Sequence, residues 1–264
     1  MNIAIYQMEI IAGNPNLNRE KVEKWINQVC ADQKDKPQLI VLPELWTTGY
    51  QLESLTTLAE ERGEQTISFL SKLAIKHKLH MIAGSIATKK EGRIYNTAIV
   101  IRADGECIYS YNKMHLVPML NEPTYLDEGM KAPAVFELDG IKMGVVICYD
   151  LRFPEIIRNL MLQGAEVLFI PAEWPRARTT HWEILQQARA IENQFFVLSA
   201  NGVGFYKETE YAGRSLVVNP WGDIIASGSI EKEETILTKI DFSEVEQVRR
   251  QVPIQSSRRP HLYS

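Results

Sequence analysis

QLIVLPELW, residues 38–46, and EVLFIPAEW, residues 166–174, decide how this chain folds. Each is an apolar run that reaches a proline and is followed within three residues by an acid and a tryptophan. A short apolar run of this length, ended by a turn residue, reads as a strand buried on both faces. Each stretch also closes a strand-helix-strand unit, the first running from Ile3 to Pro43 and the second from Lys142 to Pro171. In the first unit Val22, Trp25, Ile26 and Val29 fall at helical spacing within Asn18–Cys30, with Asn16 or Asn18 as the expected cap. One unit used twice predicts two similar half-folds whose sheets pack on one another.

Outward from these stretches the same signals recur. Strands are expected at Ile3–Tyr6, Leu39–Leu42, His80–Ile86, Tyr95–Ile101, Lys142–Ile147, Val167–Ile170, Phe195–Ala200 and Ser215–Val218. Helical patterns at Gln65–His77, Pro154–Gln163 and Thr180–Asn193 lie between them. Alternation of this kind implies the α/β class with parallel pairing. Glycine and proline are dispersed rather than clustered, so no linker is marked and residues 1–264 are expected to form a single domain.

Composition narrows the function. The chain is 45% hydrophobic and 23% charged with a net charge of -4, which describes a soluble globular protein. No lysine or arginine block supplies the surface that would release counterions from nucleic acid, so nucleic acid is not expected as a partner. No stretch approaches the roughly 20 apolar residues of a membrane span, and the N-terminus lacks a basic leader, so a cytoplasmic protein is expected. The three cysteines, Cys30, Cys107 and Cys148, form no CxxC or Cys/His spacing. Neither a disulfide framework nor a metal site is expected.

Cys148 ends the apolar run of GVVICYDLRFPE (144–155), and Pro154 then opens an amphipathic helix. A cysteine in an apolar strand is more often an inert core residue than a nucleophile. Its place just past a strand and before a helix is where α/β folds gather reactive groups, and a helix N-terminus there would lower the thiol's pKa. Cys30, at the end of a helix face, and Cys107, in a hairpin-like turn, lack that setting. Glu44 follows LIVLP and can be partly desolvated at the mouth of a sheet, as a general base requires, or can serve as a solvated capping acid. Lys113, in YNKMHLVP, stands among apolar and aromatic residues, either as a surface lysine with a covered stem or as a buried cation. His115, beside it, is expected to position neighbours rather than to take a proton. A thiolate attacking a carbonyl needs a base to form it, a cation or amide to hold the developing charge and an acid for the leaving nitrogen. Glutamate, lysine and cysteine supply all three.

On these residues the chain resembles the nitrilase superfamily of carbon-nitrogen hydrolases. LPELWTTGY (42–50) is similar to that family's glutamate motif, YNKMHLVP (111–118) to its lysine motif and GVVICYDLRFPE to its cysteine motif, in the same order. Residues 171–204, with ARAIEN at their centre, are similar as well. The resemblance implies a four-layer α-β-β-α sandwich, a homodimer of such sandwiches, and no metal or organic cofactor. It also implies a second glutamate near the lysine, which falls on Glu122, with Glu128 as a rival. The implied roles are base for Glu44, nucleophile for Cys148, and oxyanion donors for Lys113 and the Tyr149 backbone N–H.

The CYDLRFPE form looks like the branch that hydrolyses amides of small carboxylic acids, and an omega-amidase acting on 2-oxoglutaramate or 2-oxosuccinamate is the first expectation. A deaminated-glutathione amidase is the alternative in that class, and a binding protein that keeps the fold without turnover is the alternative outside it. A substrate carboxylate calls for an arginine fork, for which Arg152, Arg176 and Arg178 are candidates. Tyr50, Tyr125, Trp174 and Phe205 are the expected apolar wall.

Overall fold

The computed structural model describes residues 1–32, 34 and 36–263. The first half of the chain runs β1 (Asn2–Gln7), α1 (Pro15–Val29), β2 (Leu39–Val41), α2 (Leu55–Leu58), β3 (Glu60–Glu61), α3 (Glu64–His77), β4 (His80–Lys90), β5 (Arg93–Ile101), β6 (Cys107–Asn112) and α4 (Glu122–Tyr125). The second runs β7 (Phe136–Leu138), β8 (Ile141–Val145), α5 (Pro154–Leu162), β9 (Val167–Ala172), α6 (Thr179–Asn193), β10 (Phe196–Asn201), β11 (Val203–Tyr206), β12 (Thr209–Ala212), β13 (Leu216–Val218) and β14 (Ile224–Ser227). β15 (Glu234–Lys239), α7 (Ser243–Gln251) and α8 (Ile254–Ser257) follow.

The expected repetition is present in the topology. One sheet has the order β15-β1-β2-β4-β5-β6, with β3 beside β4, and the other, written from its opposite edge, has the order β7-β8-β9-β10-β13-β14. In both, the first pair is antiparallel, the next two are parallel and the last two are antiparallel. β2 and β9, the strands of the two quoted stretches, therefore hold equivalent places. Parallel pairing is limited to β1, β2 and β4, with the two-residue β3 beside β4, in one sheet and to β8, β9 and β10 in the other, narrower than the alternation implied. β4, β5 and β6 are joined by tight turns, and short connections can only make antiparallel neighbours.

Side-chain alternation builds the layers. Ile3 and Ile5 of β1 enter the core between the sheets with Val41, Val145, Val167 and Phe169, while Ala4 and Tyr6 turn outward onto Val22 and Trp25 of α1. Leu70 and Leu73 of α3 complete that outer layer, and Ile157 and Leu160 of α5 with Trp182 of α6 cover the other sheet. The result is helix, sheet, sheet, helix. No helix among the described residues is long and apolar enough to cross a membrane.

Two local features place the loop that carries Glu44. The first corrects the expected cap: α1 starts at Pro15, and Asn14, not Asn16 or Asn18, accepts the Leu17 N–H at 3.3 Å. Proline suits the first helical position because its missing N–H would have had no partner there. Asn18 is freed for another task and lies buried, donating to the carbonyls of Ile11 and Thr47 at 2.8 and 2.9 Å. The second feature is an irregularity in β4 between Ile82 and Ser85. There Ser85 N donates to Pro43 O at 3.1 Å, and Leu45 N donates to Ser85 Oγ at 2.9 Å. Gly84 has φ +64, and a Cβ on it would stand 2.1 Å from the Pro43 carbonyl oxygen. Gly84→Ala is expected to cost about 2–3 kcal/mol through this clash and the left-handed backbone, read as a lower urea midpoint with unchanged slope; a neutral substitution would show that the turn after β2 is not held this way.

Candidate active site

Three loop ends deliver three charged groups to one buried point. Glu44 follows β2, Lys113 follows β6 and Glu122 opens α4, and all three side chains are fully buried. Lys113 Nζ donates to Glu44 Oε1 and to Glu122 Oε1, each at 2.7 Å. Asn96 Nδ2 donates to Glu44 Oε1 at 2.8 Å, and the Glu173 backbone N–H donates to Glu44 Oε2 at 2.9 Å. Glu122 is held as firmly, by Tyr50 Oη–H at 2.6 Å and the Val117 N–H at 2.8 Å. Glu128 is exposed, so Glu122 alone of the two meets the lysine. Burial by itself would lower the Lys113 pKa, but the charges of Glu122 and Glu44 outweigh it and the ammonium is held well above its usual range. Burial also raises the Glu122 carboxyl, against the pull of Lys113.

Cys148 begins a short 3-10 turn, Cys148–Arg152, that breaks away from β8. Its φ of +43 lies in the left-handed region, which costs a residue with a side chain roughly 1–2 kcal/mol. The carboxylate of Asp150 braces the turn. It accepts from Ile147 N at 3.1 Å and Tyr111 Oη–H at 2.9 Å, and from the His115 N–H at 3.1 Å, with His115 Nδ1 2.8 Å away. The segment bearing Lys113 is thus tied to the turn bearing Cys148. His115 also stacks on Phe153 with ring centroids 3.6 Å apart. Tyr149, second in the turn, has its N–H among those at a helix start that lack an intrahelical acceptor.

The expected lowering of the thiol's pKa is corrected by this setting. Burial pushes the Cys148 thiol well above its ordinary value, the charge of Glu44 adds to the rise, and Lys113 opposes it. A hydrogen bond with Glu44 further holds the proton on sulfur. The helix α5 begins only at Pro154, too far on to compensate for desolvation.

A cavity of about 600 Å³ opens above Cys148, lined by Tyr149, Arg152, Trp174 and Arg176 among others. The family model for carbon-nitrogen hydrolases matches residues 2–250. The chain belongs to the carbon-nitrogen hydrolase family. It is 43% identical to a 2-oxoglutaramate amidase of Bacillus subtilis, over 99% of this chain and 98% of that one. It is 40% identical to a protein called hydrolase in agr operon of Staphylococcus aureus, over the full length of both. Among solved structures, Saccharomyces cerevisiae Nit3, a member of branch 10 of the nitrilase superfamily, superposes with a TM-score of 0.90 at 29% identity, covering 98% of this chain and 96% of that one. The α-β-β-α sandwich is the nitrilase fold, and the protein is a hydrolase of carbon-nitrogen bonds in amides.

The structure divides the other expected site residues of this hydrolase. Arg152 lies in the cavity with its guanidinium 4.6 Å from the Trp174 ring centroid and 5.6 Å from that of Tyr149. Its Nε is buried without a hydrogen-bond partner among the described residues. Arg176 also lines the cavity but is paired with Glu210 and lies 3.8 Å from Glu231. Arg178 lines it too, and its carbonyl accepts the Trp174 indole N–H at 2.9 Å. Tyr50 and Tyr125 line an adjoining space of about 140 Å³, with the Tyr50 hydroxyl turned onto Glu122. Phe205 is 70% exposed on the β11–β12 hairpin. Sequence reasoning passed over Asn96, Asp150 and Glu173. Of these only Glu173 carried a signal, as the acid in the second quoted stretch.

The raised thiol sets a pH dependence. With the proton held on sulfur at neutral pH, alkylation of Cys148 by iodoacetamide, followed by peptide mass mapping, is expected to keep accelerating from about pH 6 to 9 without a plateau. Glu44→Gln removes a negative charge while Lys113 stays, so the thiol pKa falls and the plateau moves to lower pH. A plateau near pH 6–7 in the unsubstituted protein would contradict the charge balance described.

Proposed function

We propose that the hydrolase is an omega-amidase that releases ammonia from 2-oxoglutaramate or a related omega-amide of a dicarboxylic acid. The observation that carries this reading is the meeting of Glu44, Lys113 and Cys148 beneath a cavity whose wall presents Arg152. The name of the Bacillus subtilis relative supports the substrate class.

In this reading Glu44 takes the thiol proton as sulfur attacks the amide carbonyl, so no stable thiolate is needed beforehand. The oxyanion is held by the Lys113 ammonium and the Tyr149 N–H. Glu44 gives its proton to the departing ammonia, leaving a thioester on Cys148. A water that loses its proton to Glu44 then hydrolyses the thioester, and the proton returns to sulfur. Glu122 orients Lys113 throughout. Arg152, over the Trp174 ring, receives the distal carboxylate, with the aromatic wall limiting its freedom. Arg176 is engaged by Glu210 and shapes the rim. The chain works as one domain, 1–264, since one apolar cluster takes residues from Ile3 to Val245.

Cys148→Ala and Glu44→Gln are each expected to lower kcat by at least about 10³-fold with native circular dichroism. Ammonia release would be compared across 2-oxoglutaramate, 2-oxosuccinamate, glutamine, asparagine, deaminated glutathione and a simple nitrile. Arg152→Ala should raise KM for 2-oxoglutaramate by roughly 10–100-fold and leave a neutral amide unaffected. A preference for the nitrile, or full activity in the alanine variant of Cys148, would overturn the reading.

The reading also takes a homodimer. Ile184 and Ile191, seven residues apart on α6, and Leu162 of α5 expose apolar side chains on one outer helical layer, as a surface covered by a second copy would. Light scattering should give twice the 30.2 kDa chain mass, and Ile191→Asp should halve it; a monomer before substitution would exclude the dimer.

A further inference from the structure

Glu173 is a buried carboxyl at the site that no step above uses. It stands where the second half-fold repeats Glu44: β2 and β9 are equivalent strands, and each is followed past its proline by an acid. The two strand ends meet, so that the Glu173 N–H donates to Glu44 Oε2 at 2.9 Å. The side chain is 2% exposed, and its Oε2 has no hydrogen-bond partner among the described residues. Gly202 makes room for it, since a Cβ there would come within 3.1 Å of Glu173 Cγ.

The charges around it decide its protonation. The groups that act on it are Glu44 after β2, Lys113 after β6 and Glu122 of α4, and the Tyr211 phenol of β12 lies near enough to feel its charge. Lys113 is already shared by two carboxylates, both within hydrogen-bonding distance. A third carboxylate, buried and without a cation of its own, would be far costlier than the neutral acid. Burial raises its carboxyl well above the ordinary value, the charge of Glu44 adds to the rise, and Lys113 opposes it.

We propose that Glu173 is a positioning residue that works as a neutral carboxylic acid, holding Glu44 through its backbone N–H and leaving the charge of Lys113 to Glu44 and Glu122, and that its ionisation closes the alkaline side of the activity range. The inference rests on the roles proposed for Glu44, Lys113 and Cys148. The attack on the amide builds negative charge at the oxyanion beside Lys113. A further negative charge behind Glu44 opposes that build-up and draws on the same ammonium. The sign follows: activity persists while Glu173 keeps its proton and is lost as pH rises through its pKa.

The test uses the full chain and Glu173→Gln, which keeps the shape and cannot ionise. Ammonia release from 2-oxoglutaramate, followed as kcat/KM against pH, is expected to stay within about threefold of the unsubstituted enzyme at neutral pH and to extend to higher pH. The infrared difference spectrum between the two proteins at neutral pH should show the loss of one protonated-carboxyl carbonyl band, a readout that needs no substrate and survives failure of the amidase reading. A drop of more than about 100-fold at neutral pH, superimposable alkaline limbs, or no lost band would each overturn the proposal. Should Glu173→Gln fail to fold, the protonated-carboxyl band of the unsubstituted enzyme must fade over the same pH interval in which its activity is lost, and a band that persists would overturn the proposal as well.

Discussion

A buried ammonium between two buried carboxylates is the constraint on which the rest of the molecule depends. Lys113 makes 2.7 Å contacts to both Glu44 and Glu122 and has no exposed surface. Desolvating three charges is unfavourable unless every lone pair and proton is used. The remaining oxygens are used: Asn96 and the Glu173 N–H serve Glu44, and Tyr50 and the Val117 N–H serve Glu122. These donors come from β5, the end of β9, the 45–55 loop and the segment before α4. A fold that lost any of these elements would leave a buried charge without its partner.

The doubled architecture provides that convergence. Glu44 and Glu173 leave equivalent strands of the two sheets and touch at the seam between them. Cys148 leaves β8, the counterpart of β1, through a turn whose backbone is left-handed. Asp150 then joins that turn to the Lys113 segment with hydrogen bonds at both of its oxygens. Glu44, Lys113 and Cys148 are therefore set by strand ends and cross-linked turns, and burial with the charge of Glu44 favours the proton on sulfur. In the mechanism proposed above, a nucleophile of this kind is protected from stray electrophiles and depends on Glu44 at the moment of attack.

The parts that could be read from the sequence were those written locally. The apolar runs ending at Pro43 and Pro171 gave the two half-folds, and the residues flanking Glu44, Lys113 and Cys148 gave the family resemblance that the comparisons bear out. The missing parts are set by contacts between distant segments. Tyr50 reads locally as a pocket wall, and the hold of its hydroxyl on Glu122, 72 residues away, is set only by the fold. Arg176 looked as available as Arg152 until Glu210 of β12 was seen beside it. Asp150 reads as an ordinary acid near a helix start, and only the packing of Tyr111 and His115 reveals four groups around its carboxylate. The thiol's acidity was misjudged because position in a strand-turn-helix was weighed without the depth of burial that decides it.

The most direct measurement is of the bond that the proposed mechanism forms. Rapid acid quenching of the enzyme during turnover of 2-oxoglutaramate, followed by intact mass and peptide mapping, reads the covalent state of each cysteine. The account expects an acyl group equal to the substrate minus ammonia, attached at Cys148 and absent in Glu44→Gln. Ammonia released at full rate with no adduct on Cys148 under single-turnover conditions, or an adduct on Cys30 or Cys107 instead, would contradict it.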